Sequence, residues 1–140
     1  MLRVATLMLL LFVLVSAVAA KDKAAKEGTF YKLGELGIKE KQAEGGKLKI
    51  TFKPRDEQFY WCPGIKIEKT KKATVVTFVR CKTSKSCSID QPAKIGKRLI
   101  RNVEFNTNGL DVYVRNGASN FRRIYQSPNS KLAGLPDELT

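Results

Sequence analysis

The sequence contains no histidine. That absence excludes Ser-His-Asp and Cys-His nucleophilic pairs, imidazole metal ligands, and any side chain whose unperturbed pKa lies near neutrality. Carboxylate chemistry needs converging acids, and the one adjacent pair near an aromatic stretch, Asp56-Glu57, would point to opposite faces of a strand. Neither Glu44-Gly45-Gly46-Lys47 nor Ile95-Gly96-Lys97 has the spacing of a phosphate-binding loop. Cys-x-x-Cys spacing and Asn-x-Ser/Thr acceptors are also missing. The expectation is a non-enzyme that carries no metal or other cofactor.

What is present begins with an export pattern. Met1-Leu2-Arg3 is followed by an apolar run from Val4 to Val15 and by the small residues Ser16 to Ala20, after which the chain turns abruptly to Lys21-Asp22-Lys23. This is the three-part form of a secretory signal peptide over residues 1–20, implying a secreted or periplasmic protein. Residues 21–46 read as a charged leader, partly flexible, in which Phe30, Tyr31, Leu33, Leu36 and Ile38 supply one short docking strand or turn.

A single β domain is expected over residues 47–126. Lys47 to Lys53 alternates strictly, with Leu48, Ile50 and Phe52 on one face and lysines mainly on the other, as a half-buried antiparallel strand does. Gln58 to Cys62 reads as the return strand, and Cys62-Pro63-Gly64-Ile65 as a type II turn. Ala73 to Lys82 is β-branched and aromatic enough to be central in a sheet. Residues 99–106, 110–115 and 121–126, separated by Asn108-Gly109 and Asn116-Gly117, read as a three-stranded meander, because Asn-Gly between alternating runs is a strong hairpin signal. Seven or eight short strands without helical periodicity indicate an all-β fold, a small antiparallel sandwich or partly open barrel. Residues 127–140 read as an irregular tail.

Lys49 to Pro54 followed by Trp61-Cys62-Pro63-Gly64 resembles the basic hairpin of the crustacean anti-lipopolysaccharide factors, in which a strand-turn-strand binds lipid A. The resemblance implies a cysteine at the start of the hairpin and a helical continuation; this sequence has no such cysteine and continues in strand patterns, so no family is assigned.

Three cysteines in an exported chain predict one disulfide and one remaining thiol. Cys81 and Cys87 bracket a turn and can close locally; Cys62 and Cys81 can meet if the sheet folds over. The odd cysteine also permits a disulfide-linked dimer.

The chain is strongly basic, with a formal charge of +13. From Lys69 to Val103 a single acid, Asp90, stands among ten lysines and arginines. Such a block attracts anions: envelope lipid, lipopolysaccharide or a polyanionic polymer. The residues expected to form this basic face are Lys66, Lys69, Lys71, Lys72, Lys82, Lys85, Lys97, Arg98 and Arg101, with Trp61 as an aromatic anchor. The alternative is a structural or protein-interaction module of the envelope whose charge serves solubility. Nucleic acid is the less favoured partner, since export separates the chain from most of it.

Overall fold

The computed structural model describes residues 26, 28–55 and 58–128, with the backbone of 138–139. The signal peptide and the first part of the leader lie outside these residues, as do Asp56 and Glu57. The fold is all-β: the described residues form twelve strands and no α-helix. Seven strands have five residues or more: β1 (Ile38–Glu44), β2 (Lys47–Phe52), β4 (Gly64–Lys69), β5 (Ala73–Phe78), β9 (Arg101–Asn106), β10 (Asp111–Arg115) and β11 (Phe121–Tyr125). The other five are two-residue pieces: β3 (Tyr60–Trp61), β6 (Cys81–Lys82), β7 (Gln91–Pro92), β8 (Lys94–Ile95) and β12 (Glu138–Leu139).

One sheet has the order β1-β2-β9-β8, and a second has the order β12-β11-β10-β5-β4-β7. Period-two alternation decides which side chains meet between them. Leu48, Ile50 and Phe52 of β2 with Val103 and Phe105 of β9 face Ile65, Val76, Phe78, Val112 and Val114 of the second sheet in one buried cluster. Phe52 and Phe78, the last residues of β2 and β5, meet edge to face at 5.0 Å between ring centres. The end of the molecule at which they meet is termed the upper end. The lower end is fixed by Thr107, which is buried and receives the Thr74 hydroxyl on its carbonyl at 3.0 Å. Thr107 itself donates to the Gly46 carbonyl from its amide at 2.9 Å and from its hydroxyl at 3.1 Å.

The strand expected over Lys47 to Lys53 has its apolar residues fully buried, and β5 is central, between β10 and β4. Several pairings differ from the sequence reading. The leader is ordered earlier, since β1 pairs along its length with β2 and Phe30, Tyr31 and Leu36 are buried. β3 does not return against β2 but pairs with β6 in a separate two-stranded sheet. Gly64 is not at a left-handed position; it begins β4, where a Cβ would strike the Gln91 carbonyl and the Pro92 backbone. Its role is close approach of β7, not a type II turn.

The C-terminal meander is also corrected. Asn116-Gly117 lies in the β10–β11 hairpin, but Asn108 (φ 57°) and Gly109 (φ 69°) carry the chain from one sheet to the other. β9 therefore pairs with β2 and β8, whereas β10 runs parallel to β5, the one departure from antiparallel pairing among the described strands. The tail is not wholly irregular, because β12 adds an edge strand to β11.

Thr107→Val keeps the shape and removes the hydroxyl that ties the β1–β2 turn to the crossing. We expect a loss of about 1–3 kcal/mol in urea unfolding with an unchanged denaturant slope, the usual effect of deleting one buried hydrogen-bonding group. An unchanged midpoint would show that the tie contributes nothing.

Candidate functional site

The antiparallel order separates the nominated cations into two groups. Lys69, Lys71 and Lys72 lie at the β4–β5 turn, closed by the Thr70 hydroxyl accepting from the Lys72 and Ala73 amides, and this turn is at the lower end. Lys82 ends β6, and Lys85, Lys97 and Arg98 lie in the segments that follow β6 and β8, all at the upper end. Six-residue strands separate the two groups by roughly 17 Å at 3.3 Å per residue. The basic stretch is thus not one face.

Arg101 is also displaced from its expected place. It is 3 % exposed, and its guanidinium donates to the Leu99 carbonyl at 2.8 Å. It braces the β8–β9 loop from beneath. That loop is unusual: Arg98 and Leu99 both have φ of 58°, a left-handed conformation that non-glycine residues adopt at a penalty of about 1–2 kcal/mol each. The Gly96 amide donates to the Ile100 carbonyl at 2.7 Å and closes the turn. The result holds Leu99 outward, 58 % exposed, with Ile95 at 53 %.

Phe59, at 74 %, is the third large apolar residue left exposed among those described. Its carbonyl accepts from the Thr83 amide at 2.9 Å, which sets it beside the turn carrying Lys82 and Lys85. Trp61 is half-buried and paired with Cys81, and the Pro63 carbonyl accepts from the Ala93 amide, joining this strip to β8. All three exposed apolar residues therefore belong to the upper end, each within a few residues of lysine or arginine. The two acids described in these loops are engaged with backbone: Glu35 accepts from the Lys32 amide and Asp90 from the Ile67 amide.

Lys66 belongs to a different feature. It lines a cleft of about 440 Å³ on the outer face of the second sheet, together with Thr77, Arg80, Ser88, Arg115 and Glu68. Arg115 is buried and is held by Nε donating to the Thr77 hydroxyl at 3.3 Å and Nη1 to the Ala118 carbonyl at 2.6 Å. Its guanidinium lies 4.7 Å from the centre of the Phe121 ring. Burial lowers its pKa, an effect that the Glu68 carboxylate offsets only in part, and an arginine remains a cation throughout the physiological range. Arg80 stacks on Tyr60 at 3.8 Å. Neither arginine was nominated from sequence, because only the β5–β10 pairing brings Arg115 beside Thr77.

No protein-family model, curated protein or solved structure matches this chain. The anti-lipopolysaccharide resemblance implies a helical continuation, which the strands from β4 onward replace. Among the described residues no cluster of three metal-binding side chains occurs, and no helix is long and apolar enough to cross a membrane.

The cysteines resolve into a Cys81–Cys87 disulfide, closing a six-residue separation, and a buried Cys62 thiol that donates to the Gly64 carbonyl at 3.4 Å. Burial keeps Cys62 out of reach of a second chain while the fold is intact. Cys81→Ser/Cys87→Ser should lower unfolding stability by about 2 kcal/mol, the chain-entropy value for so short a loop. In the native protein Cys62 should resist Ellman's reagent and react on addition of denaturant; rapid native labelling would contradict its burial.

Proposed function

We propose that this is an exported, non-enzymatic protein, built as a two-sheet β-sandwich behind a cleaved signal peptide over residues 1–20, which docks its upper end on an anionic lipid surface. The observation that carries the reading is the gathering of Phe59, Ile95 and Leu99, exposed and flanked by Lys82, Lys85, Lys97 and Arg98, at one end of the molecule. Lysine and arginine at a lipid headgroup layer each contribute about 1 kcal/mol, and apolar side chains add the transfer of their area out of water. Strain at Arg98 and Leu99 supports the same reading, since backbone outliers concentrate where a side chain must be presented to a partner. Trp61, half-buried two residues along the chain from Phe59, suits the interfacial layer, where an indole keeps one edge wet. Among the described residues the lower-end cations Lys69, Lys71 and Lys72 have no exposed large apolar neighbour, and they serve general attraction only.

Co-sedimentation with phosphatidylcholine vesicles, with and without phosphatidylglycerol, tests this. Binding should require the anionic lipid and weaken with salt. Replacing Lys82, Lys85, Lys97 and Arg98 by Glu should reduce it by on the order of a hundredfold or more. Leu99→Gln/Ile95→Gln should reduce it while leaving its salt dependence in place, and Lys69→Glu/Lys71→Glu/Lys72→Glu should have the smaller effect. Equal losses from the upper and lower sets would contradict the placement. Retention by a sulfated polymer with none by vesicles would transfer the reading to soluble polyanions, and salt-insensitive self-association would favour the protein-interaction alternative.

A further inference from the structure

The cleft on the outer face of the second sheet reaches the upper-end disulfide loop, but none of Phe59, Ile95, Lys97, Arg98 and Leu99 lines it, and it has a geometry of its own. Lys66 is the cross-strand partner of Thr77, and Val114 is the partner of Val76, so Arg115 falls beside Thr77 on its other side. Three adjacent strands thus present cation, hydroxyl, cation in one row on the face opposite the core. At about 4.8 Å between strands, the two cations stand on backbones roughly 10 Å apart, with the threonine hydroxyl between them. Arg80 and Ser88, which immediately flank the Cys81–Cys87 disulfide loop, border the same cleft. Val75 and Val79 provide an apolar part of its lining.

Arg115 is preorganised. Nε and Nη1 are used in fixing it, and Nη2 has no hydrogen-bond partner among the described residues. None of Lys66, Arg80 and Arg115 forms an ion pair among those residues, and Glu68 supplies the one carboxylate of the lining. The site therefore holds two more positive than negative charges, with donors arriving from both sides of the row and from the loop above. Donors spread in several directions suit a tetrahedral oxyanion better than a planar carboxylate, whose oxygens share one plane. The volume is that of a small-molecule site, larger than an inorganic anion needs.

We propose that this cleft binds a phosphate or sulfate monoester of a compact organic group, the oxyanion seated over Thr77 between Lys66 and Arg115 and the organic body resting against Val75 and Val79. The site does not depend on lipid docking by the upper end.

Calorimetry on the folded protein in 0.15 M salt, with phenyl phosphate and phenyl sulfate as probes and benzyl alcohol as the neutral control, tests it. A saturable heat with a dissociation constant of about 1 mM or tighter is expected for at least one ester and none for the alcohol. Both Lys66→Gln and Arg80→Gln, exposed or half-exposed positions that should leave the urea midpoint near wild type, should weaken binding about tenfold or more, as loss of a bond to a charged group does. Thr77→Val, which removes the hydroxyl holding Arg115, should do the same without removing a charge. Lys97→Glu/Arg98→Glu should leave ester binding unchanged. Absence of saturable binding of both esters would overturn the proposal, and so would affinity insensitive to the Lys66, Arg80 and Thr77 substitutions. Phosphate binding without sulfate binding would identify the phosphate ester as the source, and the converse the sulfate ester.

Discussion

The edge-to-face contact of Phe52 with Phe78 closes the core where the two sheets finish. Both rings are fully buried, and the segments that leave β2 and β5 come together beyond them as the β3–β6 pair. That pairing has electrostatic consequences. The chain after Phe52 returns through Phe59 and Trp61 to pair with β6, the chain after Phe78 passes through Arg80 to the disulfide, and β8 enters beside the start of β9. Loops separated widely in sequence are collected at one end because their strands share a core, and the cations they carry are collected with them. At the other end Thr107 performs the corresponding task with hydrogen bonds, tying Gly46 and Thr74 to the crossing between sheets.

Strands whose pattern is local were legible in the sequence. The alternation of Lys47 to Lys53 encodes a half-buried strand within seven residues, and the β-branched run from Ala73 encodes a strand covered on both faces. The β10–β11 hairpin was legible because its turn chemistry lies between its own strands. Pairings that depend on distant partners were not. Asn108-Gly109 has the left-handed residues of a hairpin turn, yet nothing local records that Thr107 is held by Gly46 and that the chain must change sheets there. The same limit hid the β3–β6 pair, the parallel β5–β10 contact and the edge strand β12, each formed across a long separation.

The candidate sites divide in the same way. Charge density along the chain found Lys82, Lys85, Lys97 and Arg98, but it also grouped them with Lys69, Lys71 and Lys72, which the strand direction sends to the opposite end. It counted Arg101 as surface charge, although alternation along β9 already places that position inward with Val103 and Phe105. Arg115 was invisible because one residue of a short strand acquires meaning only from the Thr77 beside it. Composition locates charge; only topology decides which charges converge.

Trp61 provides the most direct test of the central claim, that the upper end meets an anionic lipid surface. It is the sole tryptophan in the chain, and it lies in the strip that carries Phe59. Its emission should shift to the blue on titration with phosphatidylglycerol-containing vesicles at low ionic strength. The apparent affinity should fall near 0.15 M salt, where charges are screened over about 8 Å. An emission maximum that does not move at either salt concentration, or one that moves equally with uncharged vesicles, would contradict the claim.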